Sequence, residues 1–157
     1  MATRKELMGG LQFVPAQARR VAGMLDELGQ WDSRRPAGWC PKEMFTHVAV
    51  VAGTIPKMGR DMLSAPPEAD IIAGMDMAAV NEQGVASMRS MDAKDVLAAL
   101  DANYVKLSDW VKSLSDEQLE SRHTFRSTPM KASDMIMTLV VMHAIHDLFE
   151  APLPDAL

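Results

Sequence analysis

Residues 128–150, TPMKASDMIMTLVVMHAIHDLFE, constrain this chain more than any other stretch. Between residues 135 and 149 the only residues that are not apolar are Thr138, His143, His146 and Asp147. A segment this apolar on nearly every side reads as a central, buried helix. On a helical wheel His143, His146 and Glu150 fall within roughly 60° of one another, with Met135 and Leu139 on the same face. The segment therefore turns two imidazoles and a carboxylate in one direction among aliphatic side chains. Ionisable groups in such surroundings are costly unless they pair or bind a metal. That cluster is the sharpest functional clue in the sequence.

The rest of the chain supplies partners for such a helix. Leu7, Leu11, Val14, Ala18, Val21, Leu25 and Leu28 recur in steps of four and three, one helical stripe. Pro15 lies inside it, after Gly9 and Gly10, and predicts a kink or short break just before it. Gly29 is the expected stop. Residues 30–40, QWDSRRPAGWC, read as a loop with two tryptophans and a Pro-Ala-Gly turn. A second helix is expected over residues 41–63. Met44, His47, Val48, Val51, Ile55, Met58 and Met62 share its apolar face, and Pro56 should kink it. Residues 64–70, SAPPEAD, form a linker. A weaker helix is expected over 75–88. Asp92 then caps a strong helix whose stripe is Val96, Leu97, Leu100, Tyr104, Leu107, Val111 and Leu114. Ser115 with Gln118 makes a capping box that starts one more turn. Residues 121–130 are a polar loop in which His123 should be solvated.

There is no alternating strand pattern, no Asn-Gly hairpin, no phosphate-binding glycine loop and no repeat. The expected fold is all-α: a four-helix bundle with a long connection between the second and third helices, a single domain over residues 1–157. An apolar fraction of 48% argues against disorder. The net charge of −5, with no basic run longer than a pair such as Arg19-Arg20 or Arg34-Arg35, predicts no nucleic-acid partner. The uninterrupted apolar runs, residues 139–142 among them, are too short to span a bilayer, so no membrane partner is expected. A single cysteine, Cys40, fits a reducing, cytoplasmic compartment. The 14 methionines are core filler or the lining of a cavity.

Metal ligands in a bundle project inward from facing helices. His47 on the second helix and His146 with Glu150 on the last can meet in this way. Two histidines and a carboxylate are a catalytic zinc set that leaves a position open for water or substrate. Iron accepts the same ligand types, and nickel takes imidazole well. Against this stand ordinary readings: a core histidine held by a hydrogen bond, and a surface glutamate at a helix end. A carboxylate is unfavourable at a helix C-terminus, which argues for a cation beside Glu150. Cys40, close to a helix N-terminus, is either a thiol of lowered pKa or a small buried hydrophobe.

The run GWCPKEMFTHVAVV at 38–51 resembles the G-W-S-x-x-E/D-x-x-x-H segment of the DinB-like superfamily, which includes YfiT-type metal-dependent hydrolases and mycothiol-dependent maleylpyruvate isomerases. The Pro15 helix, the RRPAGW loop, the SLSDEQLE turn and the final histidine helix follow in the same order. The resemblance implies that Trp39 is the family tryptophan and His47 the first metal ligand. It implies two further ligands four residues apart on one helix, as His-x3-His or Glu-x3-His. His146-x3-Glu150 meets that spacing, with glutamate where histidine is usual, and His143 is the rival ligand. Cys40 stands where Ser or Thr is common. Also implied are a homodimer and a low-molecular-weight thiol cosubstrate; the methionine-rich surface of residues 75–88 is one candidate interface. The expectation is a zinc or nickel enzyme, a thiol-dependent transferase or hydrolase acting on a small electrophile. The alternative is a non-catalytic, stress-related bundle with a degenerate site, serving as a binding or dimerisation module. Whether Glu150 reaches the point shared by His47 and His146 is expected to discriminate between them.

Overall fold

A computed structural model describes residues 2–33 and 38–151. The Arg34-Arg35 pair and the start of the expected Pro-Ala-Gly turn lie outside the described residues. Six helices and one hairpin follow in order: α1 Arg4–Leu28, α2 Pro41–Ser64, α3 Met77–Ser87, α4 Ala93–Ser113, α5 Asp116–Glu120, β1 Arg122–Phe125, β2 Thr128–Lys131 and α6 Ala132–Glu150.

Local chemistry sets most of these boundaries. At the start of α1 the Glu6 amide donates to Thr3 Oγ1 over 3.2 Å, and the Glu6 carboxylate accepts from the Thr3 amide over 2.7 Å. This box satisfies two donors that a bare helix end leaves open. Gly29, at φ 64°, closes the helix in the left-handed conformation that favours glycine. Asp92 caps α4 by accepting from the Asp95 amide over 2.9 Å. Ser115 and Gln118 form the expected box at α5. The break expected before Pro15 does not occur, and α1 runs straight through it. Pro15 is buried with Leu11, Val14 and Ala18, so packing of the apolar face outweighs one missing backbone hydrogen bond.

Four long helices make the bundle. Both α1 and α2 pack against α4 and α6, so the order around the square is α1, α4, α2, α6. α1 and α2 are thus diagonal, as are α4 and α6, while α2 and α4, joined by the long connection over residues 65–92, are neighbours. Within that connection α3 lies against α2. The α2–α4 pair is the tightest. A Cβ added at Gly59 would stand 2.2 Å from the Trp110 ring. Nearby, the Asn103 amide donates to the Ala49 carbonyl over 2.9 Å. By length and composition α6 would be apolar enough to cross a membrane. Here Ala132, Met135, Ile136, Val140, Val141, Ala144 and Leu148 bury its inner face in the core.

Residues 121–130 are not an irregular loop. They contain most of a β-hairpin in which His123 pairs with Met130 and Thr124 with Pro129. The turn residues Arg126 and Ser127 both have left-handed φ, 50° and 61°, as a two-residue hairpin turn of this hand requires. Nothing in an Arg-Ser dipeptide announces such a turn. The linker holds it instead: Asp70 Oδ2 accepts from the Ser127 amide over 2.8 Å, and the Pro67 carbonyl accepts from the Thr124 amide over 2.9 Å. His123 is buried rather than solvated, at 6% exposure. Ser121 Oγ donates to the Gln118 carbonyl and lies within hydrogen-bond reach of His123 Nε2, at 3.0 Å.

Candidate metal centre

His47 is placed by the second turn of α2. Glu43 anchors the start of that helix, its carboxylate accepting from the Cys40 amide over 3.1 Å. Just upstream, the Trp39 ring lies against the His47 ring, with centroids 4.7 Å apart. The Trp39 indole N–H donates to Glu82 of α3 over 3.1 Å, and Glu82 also accepts from Arg89 over 2.9 Å. The long connection therefore fixes the tryptophan that walls the site. His47 itself is 3% exposed. Burial, then the neighbouring His143, holds its pKa down to about 4. At neutral pH it is an uncharged imidazole, the form a metal requires.

From α6, His143 and Asp147 come to meet it. The His47 and His143 rings stand edge to face, centroids 5.1 Å apart at 86°. Asp147 Oδ2 lies 3.6 Å from His143 Nε2 and 3.9 Å from His47 Nε2. One ligand atom from each of the three residues lies within 4.8 Å of the others. Burial pushes the Asp147 carboxyl up, and His143 and His146 oppose that. Asp147 Oδ2 is buried with no hydrogen-bond partner, as is His47 Nδ1. Such orphans are uncommon in a folded interior and call for a bound partner. Ligand atoms around a tetrahedral zinc lie roughly 3.3 Å apart, given bonds of about 2.0–2.1 Å, so closure here needs these atoms to draw together by a few tenths of an ångström to about 1.5 Å. The donor set, two imidazoles and one carboxylate, fits a divalent metal with a free position. His143 is 42% exposed, so the site opens on that side.

His146 and Glu150 lie elsewhere. His146 is 65% exposed, and its Nε2 pairs with Glu150 Oε1 at 3.2 Å on the outer face of α6. His146 Nδ1 comes within 3.6 Å of the other Asp147 oxygen. Of the three ligands expected from the sequence, only His47 faces the cluster. The rival, His143, takes the next place, and Asp147, which spacing had not singled out, takes the third. Its signal was available: His143-x3-Asp147 has the same i, i+4 spacing as His146-x3-Glu150.

The cause of the difference lies inside α6. Over Thr138–Met142 the helix widens into a π-turn, and the His143 amide donates to the carbonyl of Thr138, five residues back. A π-turn absorbs one extra residue, so every later position is displaced by about 100° from an unbroken wheel. In a regular helix the places of His143 and Asp147 would fall to Met142 and His146.

Cys40 sits half-buried at the N-cap of α2. Burial raises its pKa, with a further push from Glu43 and Asp32 against a lowering backbone hydrogen bond. Its surroundings therefore disfavour the thiolate.

These elements define a class by fold and site: a four-helix bundle with two imidazoles and a carboxylate turned to one point. Among solved structures the chain is similar to YfiT from Bacillus subtilis, with a TM-score of 0.72 over 92% of this chain and 81% of that one, at 19% identity. That protein is described as a probable metal-dependent hydrolase with an unusual four-helix bundle topology. At this identity the likeness carries the fold. No protein-family model matches the sequence, and no curated protein matches it significantly.

Proposed function

We propose that this protein is a metal-dependent enzyme, a thiol-dependent transferase or hydrolase acting on a small electrophilic substrate. The observation that carries the reading is the convergence of His47, His143 and Asp147 from two facing helices, with one side open. These residues would hold a divalent ion, zinc or nickel by ligand type. When bound, the ion would lower the pKa of a water or thiol and polarise the electrophile.

The chain's own residues do the rest. Neutral His47 binds without first losing a proton, because burial already keeps it uncharged. Asp147 contributes the anionic ligand that two imidazoles lack. Trp39, held by Glu82, covers the His47 side and excludes water there. The YfiT-like fold and the description of that protein support metal-dependent chemistry. The thiol cosubstrate and the homodimer rest on the resemblance of the GWCPKEMFTH segment. For the dimer, exposed Met75 and Val80 beside and within α3 offer apolar area.

The test is elemental analysis of protein made without a His-tag, followed by assays of the loaded protein with small thiols and electrophiles. One equivalent of a divalent ion, lost in His47→Ala and Asp147→Asn, is the expected result. If zinc, nickel, iron and manganese are all refused near neutral pH, the reading fails and the non-catalytic bundle replaces it.

A further inference from the structure

We infer that Tyr104 is a positioning residue for the candidate metal centre: its buried hydroxyl holds open the π-turn at Val140, and the phase change across that turn aims His143 and Asp147 at His47. The inference rests on the proposed site for its meaning but not for its test.

Tyr104 reaches across the bundle from α4 and is 2% exposed. Its hydroxyl donates to the Val140 carbonyl over 2.6 Å, in the middle of the widened turn. A π-turn spoils the regular i, i+4 ladder, and a side chain inserted from outside is a standard way to satisfy the carbonyl it loosens. Opposite, α1 makes room. A Cβ on Gly10 would lie 2.7 and 2.8 Å from the two γ-methyls of Val141, the next residue of the turn. One helix thus bonds the bulge and another vacates space for it. Without these supports the turn has every reason to relax to an ordinary α-helix, which offers one hydrogen bond per residue in better geometry. Relaxation would swing His143 and Asp147 by about 100° and bring Met142 and His146 inward.

The experiment compares wild type, Tyr104→Phe, and Tyr104→Phe with Leu139 deleted. The deletion removes the extra residue, so a regular helix then delivers His143 and Asp147 to the same place. The first readout is metal-free: the nuclear Overhauser contact between the His47 and His143 rings. The second is zinc affinity and the ligand-field spectrum of the cobalt-loaded protein. Tyr104→Phe is expected to lose the ring contact and bind zinc more than about tenfold weaker, as loss of an orienting partner typically does. The deletion is expected to restore both. An unchanged contact and spectrum in Tyr104→Phe overturns the proposal, and so does a loss that the deletion fails to rescue. If Tyr104→Phe alone does not fold, the deletion variant decides: folded with the ring contact supports the proposal, unfolded overturns it. A wild type that shows the contact but takes up no metal defeats the proposed function and leaves Tyr104 to be judged on the contact alone.

Discussion

Asp147 turns one carboxylate oxygen toward both His143 and His47, 3.6 and 3.9 Å away, and leaves that oxygen buried without a hydrogen bond. An acceptor so placed between two imidazoles offers a ligand set to a cation. Asp147→Asn should therefore cut divalent-metal affinity by at least the roughly 10–100-fold that an outer partner carries, while circular dichroism stays helical. His146→Ala and Glu150→Gln, both on the outer face, should change affinity far less. Calorimetric titration with zinc separates the two ligand sets. Loss of binding in the His146 and Glu150 variants, with Asp147→Asn intact, would reverse the assignment.

Acid should destabilise the metal-free protein through its buried histidines. His47 and His123 both have folded pKa values below the usual 6.5, chiefly through burial. The unfolded chain thus binds protons that the native state refuses. Their stabilisation is complete above about pH 6.5 and declines as pH falls, for His47 down to about pH 4. Asp147, whose pKa is raised, acts with the opposite sign: its contribution declines as pH rises through that raised value. Urea melts from pH 7 to 5 should show falling midpoints, and His123→Gln should flatten part of the slope. A midpoint independent of pH across this window would contradict the burial of both rings.

Gly59→Ala should destabilise the bundle by about 1–3 kcal/mol, the usual range for overpacking. The added methyl would stand 2.2 Å from the Trp110 ring, a large side chain wedged between α2 and α4. Denaturant midpoints of the two proteins measure it. Gly9→Ala, with nothing within 4 Å of its added Cβ, is the matched control and should be neutral or slightly stabilising.

Sedimentation at tens of micromolar should show a homodimer rather than the 17.2 kDa chain alone. Val80→Glu should weaken it if the region of α3 forms the interface. A monomer throughout the concentration range would remove the dimer from the proposed function.

Much of this protein was legible in the chain itself. Stripes of period 3.6 located three of the bundle helices, because burying one face requires that spacing, and a run apolar on nearly every side located the fourth. Asp92, and Ser115 with Gln118, fixed helix starts through contacts three residues long. His47 and the last helix stood out because polar groups among apolar ones are rare. Contacts made across the fold decided the rest. An Arg-Ser turn became a hairpin because Asp70 and Pro67 hold it, and His123 was buried with it. Above all, an unbroken wheel points His146 toward the core, whereas a single π-turn points His143 and Asp147 there instead. The periodicity of a sequence fixes which residues are neighbours on a helix. Whether that helix keeps its phase depends on a tyrosine and a glycine more than thirty residues away, in two other helices.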